Sequence, residues 1–212
     1  MCFSEKVSIA TFALGFGFGL LITLLPKPED KVIGFFLAFV SLMQGIEALL
    51  WRHQDCDLYN RMLTSAGMWL NHLQPLLLIG LSSAYFPKTL NILFPIGILY
   101  SIAMILYTMQ FDEASPDGKC TRKDTCTPHL HWKWNELENY RLFYAFFMLV
   151  LFSIPFLVFQ DTTIAKFISF AGVISWSVSA TIYPPHVVGA LWCFFTAFLP
   201  IVYFSFRIAK LL

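Results

Sequence analysis

Charged residues are scarce in this sequence. Asp, Glu, Lys and Arg make up 13% of its 212 residues, whereas hydrophobic residues make up 58%. A soluble domain carries roughly 25% charged and about 45–50% apolar residues, so the composition excludes an ordinary soluble domain. The formal net charge is only +1, and the chain therefore lacks the basic surface that nucleic-acid binding requires. We expect an integral, multi-pass membrane protein in contact with the lipid bilayer, with no nucleic-acid partner.

Several catalytic and nucleotide-binding motifs are also missing. The chain contains no G-x-x-x-x-G-K-[ST] loop, no G-x-S-x-G elbow and no H-E-x-x-H pattern, which argues against energised pumps and familiar hydrolases. Its last apolar segment contains no lysine, which excludes a retinal-type photoreceptor. No Gly/Ser-rich or charge-rich linker divides the chain, so residues 1–212 are expected to form a single domain. No cofactor is specified, and whether the protein is an enzyme stays open.

Seven apolar segments are long enough to cross a bilayer, which takes about 20 mainly apolar residues in a helix. The third segment is interrupted by Pro75, which cannot continue a regular helix. The segments are Val7–Leu25, Val32–Trp51, Met62–Phe86, Thr89–Met109, Leu142–Phe159, Thr163–Tyr183 and His186–Phe206. The sequence therefore predicts an all-α polytopic membrane bundle of about seven transmembrane helices, with a polar extramembrane loop at 110–141.

The placement of the cysteines indicates an orientation. Lys and Arg occur on both sides of the predicted bundle, so the positive-inside rule does not decide it. Cys2, Cys56, Cys120 and Cys126 all lie on the side of the N-terminus, and Cys193 lies within a span. Thiols gathered on one side fit an oxidising compartment, where Cys120 could pair with Cys126 and Cys2 with Cys56. We predict an outside or lumenal N-terminus and a cytosolic C-terminus; the alternative is four free thiols facing the cytosol.

Polar residues inside the predicted spans are candidates for a binding site. Gln44 and Glu47 lie one turn apart in the second span, and Trp69 and His72 lie one turn apart in the third. A carboxylate within a membrane is costly and usually faces the bundle interior or a cavity. We predict that these four residues line a pocket that binds or translocates a small or lipid-like ligand. In the alternative, Glu47 reaches towards the membrane surface and His72 bonds a neighbouring helix.

A metal site is a further possibility on the N-terminal side. Cys2, Cys56, His129 and His131 lie there, and thiolate and imidazole are preferred ligands of zinc and copper. Neither C-x5-C nor H-x-H is a zinc signature, however, so a disulfide or free-thiol role for the same cysteines is favoured over a metal site.

Two other functional classes stay open beside ligand binding. The first is a membrane-embedded enzyme, metal-dependent or not, in which Glu47, His53 and His72 perform acid–base chemistry. The second is an accessory subunit of a larger membrane complex or an oligomer, which the small size and the missing catalytic motifs favour.

Three short patterns carry a resemblance to a known family. They are Met1-Cys2-Phe3-Ser4, Gln44-x-x-Glu47-x-x-x-Trp51 and Trp192-Cys193-Phe194-Phe195. Together they resemble an uncharacterised multi-pass membrane family whose members begin Met-Cys-Phe-Ser, and the similarity runs along the chain. Against that pattern the loop with Cys120 and Cys126 looks like an insertion. The resemblance implies a membrane fold and groups Cys2, Gln44 and Glu47 in one unit, but it implies no reaction.

Overall fold

Eight α-helices form most of the described chain. The structure is a computed structural model that describes residues 4–127, 129–182 and 184–212. The helices are α1 (Glu5–Ile22), α2 (Pro28–Arg52), α3 (Leu58–His72), α4 (Gln74–Tyr85), α5 (Leu90–Asp112), α6 (Tyr140–Val158), α7 (Thr162–Ile182) and α8 (Pro185–Ile208). A short antiparallel hairpin, β1 (Arg122–Lys123) with β2 (Leu130–His131), lies between α5 and α6. The predicted all-α bundle is confirmed.

Six of the described helices are long and apolar enough to cross a membrane, namely α1, α2, α5, α6, α7 and α8. Large apolar side chains such as Phe94, Leu106 and Leu149 are exposed on the outside of these helices. So much exposed apolar surface is unfavourable in water and favourable against lipid. The chain is an integral, multi-pass membrane protein.

The count of seven spanning helices is not confirmed, because the third predicted segment is two shorter helices. Helices α3 and α4 have 15 and 12 residues and meet at Leu73. Pro75 causes the break, since it has no amide hydrogen and its ring clashes with the carbonyl four residues earlier. The carbonyl of His72, at the break, accepts a hydrogen bond of 2.7 Å from the Tyr100 hydroxyl on α5. A neighbouring helix thus satisfies a backbone group at the interruption.

Contacts between distant residues define two ends of the bundle. The segment 113–139 packs at one end, here called the loop end. At the opposite end, here called the Asp30 end, the Glu29 carboxylate accepts the backbone amides of Gln160 (3.1 Å) and Asp161 (3.4 Å). Helix α4 finishes at the Asp30 end, where the Phe86 ring lies 5.9 Å from the Phe159 ring. The broken pair α3–α4 therefore runs from one end of the bundle to the other.

A buried ion pair closes the Asp30 end. Asp30 is fully buried, and the Arg207 guanidinium donates to its carboxylate from Nε and Nη2, each at 2.8 Å. The Tyr203 hydroxyl donates to the same carboxylate at 2.6 Å. A buried carboxylate needs both a counter-charge and hydrogen bonds, so these contacts fix the start of α2 against the end of α8.

Helices α1 and α2 bring their backbones into close contact at two glycines. A Cβ atom at Gly34 would lie 2.7 Å from the carbonyl oxygen of Gly19 and 2.7 Å from the amide nitrogen of Thr23. Both neighbours are backbone atoms, which cannot move aside as a flexible side chain can. Small residues allow membrane helices to approach closely, and this crossing requires glycine.

We expect Gly34→Ala to lower the free energy of unfolding by about 1–3 kcal/mol, because the added methyl group overpacks the α1–α2 contact. Thermal denaturation of the purified protein in detergent measures the change. Gly17→Ala is the matched control on α1, since a Cβ at Gly17 would meet nothing within 4 Å. Equal denaturation midpoints for the two variants would contradict the close crossing.

The described residues of the segment 113–139 form a cap over the loop end. Trp132 and Trp134 are 1% and 2% exposed, and their ring centroids lie 4.2 Å apart. Both rings approach Gly67 on α3. The Tyr107 hydroxyl donates to the carbonyl of Trp134 at 2.5 Å, and the amide of Trp132 donates to the carbonyl of His186 at 3.0 Å. The cap is therefore bonded to α5 and α8.

A disulfide joins Cys56 to Cys120, with their Cα atoms 5.6 Å apart. The predicted pairing of Cys120 with Cys126 is wrong, and Cys126 is an exposed free thiol. The reason lies in Asn60 on α3, whose side chain accepts from the amide of Thr121 (3.1 Å) and donates to its carbonyl (2.8 Å). These two bonds hold the chain beside the α2–α3 connection, next to Cys56. The predicted pairing of Cys56 with Cys2, which lies outside the described residues, is also wrong, because Cys56 is bonded to Cys120.

Candidate functional site

A groove of about 430 Å³ lies between α6, α7 and α8 at the loop end. Helices α6 and α7 touch near the middle of the bundle, where the Ser169 hydroxyl donates to the carbonyl of Phe152 at 2.9 Å. The groove lies between them nearer the loop end. Its lining residues are Asn135, Tyr140, Arg141, Tyr144, Ala145, Met148, Trp176, Ala180, Pro185 and Val188. Ala145 and Ala180 are exposed, so the groove is open on its lipid-facing side.

The inner wall of the groove carries a buried hydrogen-bond network. The Tyr144 hydroxyl donates to Asn135 Oδ1 at 2.6 Å and lies 3.0 Å from Nε2 of His72. Because the hydroxyl hydrogen is directed to Asn135, Nε2 of His72 must be the donor of the second bond. Asn71 Nδ2 also lies 3.4 Å from the hydroxyl oxygen. The predicted residue His72 is thus linked to the groove through a tyrosine that sequence reasoning did not single out.

An aromatic enclosure holds the His72 ring in position. The ring centroid of Phe143 lies 4.9 Å away and that of Tyr107 lies 5.5 Å away, both with their planes steeply inclined to the imidazole. His72 is fully buried, and its Nδ1 atom has no hydrogen-bond partner within the described ranges. The fixed ring leaves Nε2 directed at Tyr144.

Gln44 and Glu47 share a helix face, as predicted, but they lie at a different place from His72. Gln44 Nε2 donates to the Glu47 carboxylate at 2.8 Å, and Thr11 on α1 donates to Gln44 Oε1 at 2.7 Å. All three side chains are buried. Gln44 therefore contacts α1, whereas the His72 ring contacts residues of α5 and α6, and the predicted common pocket is not formed by these contacts.

The remaining residues of the predicted pocket and of the acid–base hypothesis are also apart. Trp69 is 37% exposed on the surface of α3. His53 lies exposed just after α2, with its ring 4.6 Å from that of Tyr59. Glu47, His53 and His72 occupy three separate environments, so these contacts do not assemble the acid–base group that the spacing suggested.

The predicted metal ligands are not brought together either. Cys56 is in the disulfide, and a disulfide sulfur is not the thiolate that a metal binds. His129 is fully buried inside the cap, and burial lowers its pKa to about 4. Cys2 lies outside the described residues. Of the predicted set, only His131 stands in a cluster of other potential ligands.

That cluster contains two residues that the sequence did not single out, Asp124 and His186. The rings of His131 and His186 are stacked with centroids 4.1 Å apart. Asp124 Oδ1 lies 3.5 Å from a nitrogen of each ring. Burial by itself would raise the pKa of Asp124, but hydrogen bonds from Thr127 and from the amide of Cys126 outweigh it and lower that pKa. The carboxylate is therefore ionised at neutral pH.

A second carboxylate, Glu136, contacts the same two rings. Its Oε2 lies 2.8 Å from Nε2 of His131 and its Oε1 lies 3.0 Å from Nδ1 of His186. Desolvation would raise the pKa of Glu136, but the hydrogen bond from His131 and the nearby histidine charges outweigh it and lower that pKa. The cap thus holds two histidines between two carboxylates.

No family model, curated protein or solved structure matches this chain. The resemblance to a family that begins Met-Cys-Phe-Ser therefore stays a prediction.

Proposed function

We propose that this protein binds a lipid-like amphiphile with an anionic head group in the groove between α6 and α7. The observation that carries the proposal is the groove itself, which combines apolar walls, an opening towards lipid and a polar inner wall. Its volume of about 430 Å³ falls within the roughly 300–1,000 Å³ typical of ligand pockets.

We also infer that the chain crosses the membrane seven times, with the pair α3–α4 forming one crossing that is broken in the middle.

The walls suit a hydrocarbon chain. Met148 on α6, Trp176 on α7 and Val188 on α8 line the groove, and none of them carries a charge. Methionine and tryptophan provide large apolar contact areas. An acyl chain from the bilayer would enter past Ala145 and Ala180, whose small side chains leave the way open.

The polar end suits an anion that accepts hydrogen bonds. Arg141 is exposed beside the groove, and its Nε donates to the Tyr140 hydroxyl at 3.0 Å. A guanidinium retains further donors and binds phosphate or carboxylate groups well. Asn135, at the inner wall, supplies its amide group, whereas the Tyr144 hydroxyl hydrogen is already donated to Asn135 Oδ1. A head group at this position would lie at the loop end, near the membrane surface.

Binding is favoured over translocation, because the groove does not continue as an open path. Beyond Tyr144, the next two cavities measure about 10 and 40 Å³, enough for about one water and a few waters respectively. They are bordered by Trp192 and other bulky side chains. Passage of a lipid-sized molecule would require these helices to separate.

The disulfide supports the predicted orientation. Disulfides persist in oxidising compartments, and Cys56–Cys120 lies at the loop end. We infer that the loop end, with the N-terminus of α1, faces the outside or a lumen. The amphiphile would then be bound in the leaflet on that side.

Photocrosslinking of the purified protein in detergent by a photoreactive phosphatidic acid tests the proposal. We expect saturable labelling that unlabelled phosphatidic acid competes away. Ala145→Trp fills the groove and should reduce labelling about tenfold or more. Arg141→Gln should reduce labelling about fivefold for this anionic lipid, the effect of about 1 kcal/mol from one exposed charge pair.

Ala84→Trp is the matched control, since Ala84 is also an exposed helical alanine but lies on α4. It should label like the wild type. A neutral photoreactive diacylglycerol tests whether Arg141 contacts the charged head group. Arg141→Gln should leave labelling by this neutral lipid unchanged. Unaltered labelling of Ala145→Trp, or labelling that excess lipid does not compete, would overturn the proposal.

A further inference from the structure

We propose that Asp124, His131 and His186 form a binding site for a divalent metal ion of the zinc type in the cap. This site is separate from the lipid-facing groove and does not depend on what the groove binds. It also differs from the metal site predicted from the sequence, with which it shares only His131.

The distances from Asp124 to the two histidines match those between neighbouring ligands of a tetrahedral ion. Asp124 Oδ1 lies 3.5 Å from Nδ1 of His131 and 3.5 Å from Nε2 of His186. An ion about 2.0–2.1 Å from its nitrogen and oxygen ligands in a tetrahedron holds those ligands about 3.4 Å apart. One ligand atom from each residue lies within 4.8 Å of the other two. Because the two rings are stacked with their planes 15° apart, at least one imidazole must turn about its Cβ–Cγ bond before both nitrogens can bind one ion.

Glu136 occupies the position of a supporting carboxylate. It contacts the ring nitrogens that the metal would leave unused, Nε2 of His131 at 2.8 Å and Nδ1 of His186 at 3.0 Å. A histidine that binds a metal usually donates its other ring N–H to a carboxylate or carbonyl, which fixes the tautomer and the ring orientation. Here one glutamate contacts both histidines, so Nδ1 of His131 and Nε2 of His186, the two nitrogens beside Asp124, are the ones left for a metal to bind.

The backbone and its hydrogen bonds hold the ligands in place. Asp124 Oδ2 accepts from the amides of Cys126 (3.1 Å) and Thr127 (2.8 Å) and from the Thr127 hydroxyl (2.9 Å). Its other oxygen, Oδ1, is thereby directed at the histidines. Strand β2 carries His131, and the start of α8 carries His186. Three separate segments of the chain thus converge on one point.

The ligand set selects the class of metal and leaves one position open. Two imidazoles and one carboxylate suit zinc and neighbouring transition metals, whereas calcium and magnesium prefer oxygen ligands alone. A cavity of about 190 Å³ borders Asp124 and His131, and Arg122, Lys123 and Lys133 also line it. A water molecule or an anion could therefore complete the coordination from this basic cavity.

Metal titration of the full-length protein tests the site. We would strip the detergent-purified protein with a chelator, add Zn²⁺ and measure binding by calorimetry and elemental analysis. We expect a single tightly bound equivalent per chain. The double variant His131→Ala/His186→Ala should lose it, and Glu136→Gln should keep the stoichiometry with affinity reduced about 10–100-fold. His53→Ala, which removes an exposed histidine outside the cluster, should bind like the wild type.

The visible absorption spectrum of Co²⁺ bound in the site reports the type of ligand independently of the binding affinity. Co²⁺ in this site should give the visible bands of a four-coordinate nitrogen and oxygen environment, without a thiolate-to-cobalt band, and Cys126→Ser should leave the spectrum unchanged. Circular dichroism of each metal-free variant separates loss of binding from loss of folding. Retained stoichiometric binding in the folded double-histidine variant, a thiolate band, or no binding by the wild type would each overturn the assignment.

Discussion

Replacing Cys56 and Cys120 together by serine is expected to lower the free energy of unfolding by about 4 kcal/mol. The disulfide links residues separated by 64 positions, and a crosslink over such a loop removes much conformational entropy from the unfolded chain. It also holds the cap against the α2–α3 connection. Chemical denaturation in detergent micelles, comparing the oxidised wild type with the double variant, measures the difference.

Cys126→Ser is the control for this prediction, because it removes an exposed free thiol and should leave the stability unchanged. The same two cysteines report on orientation. If the loop end faces an oxidising compartment, alkylation of the protein in its membrane, without prior reduction, should leave Cys56 and Cys120 unmodified. A double variant as stable as the wild type would contradict the predicted stabilisation by the disulfide. Ready alkylation of both Cys56 and Cys120 would contradict the predicted orientation.

Asp30→Asn is expected to lower the free energy of unfolding by about 3–5 kcal/mol. The change would leave the Arg207 guanidinium, whose side chain is 9% exposed, without its buried counter-charge. The Tyr203 hydroxyl would also lose a charged acceptor for its hydrogen bond. The same denaturation measurement applies, with the variant and the wild type in one detergent.

Lys27→Gln provides the comparison at the same end of the bundle. Its partner Asp161 lies 2.6 Å away, but the two side chains are 38% and 26% exposed, and such a pair contributes no more than about 1 kcal/mol. Combining Asp30→Asn with Arg207→Gln should recover part of the loss, because no unpaired buried charge then remains. Equal losses of unfolding free energy in Asp30→Asn and Lys27→Gln would show that the buried Asp30–Arg207 pair stabilises the protein no more than the exposed Lys27–Asp161 pair.

Hydrophobicity predicted the class of fold and the positions of most helices. Apolar runs of spanning length are set by the bilayer itself, so the predicted segments for α1, α2, α5, α6, α7 and α8 overlap the observed helices closely. The third segment shows where this reasoning stops. Pro75 predicts an interruption, but the sequence does not show which group contacts the backbone at the break. In the fold the Tyr100 hydroxyl, on another helix, donates to the carbonyl of His72.

The sites could be predicted only in part, because their residues come from segments far apart in the sequence. Gln44 and Glu47 share a face by helical spacing, which is local information. The link from His72 to Asn135 passes through Tyr144, one of many aromatic residues, and nothing in its sequence context marks it. Likewise Asp124, His131 and His186 meet only after the hairpin and α8 are in place. A disulfide partner is equally non-local: short spacing favours Cys126 as the partner of Cys120, whereas the fold brings Cys56 to it.

The packing of α8 against α1 and α2 has a consequence for how the protein is made. Asp30 is synthesised 177 residues before Arg207, and at about 5–20 residues per second this interval lasts roughly 10–35 s. Through that time the carboxylate of α2 has no buried counter-charge from α8. The bundle is completed only when its final described helix arrives, and until then the partly built chain depends on the insertion machinery or on water at the membrane surface.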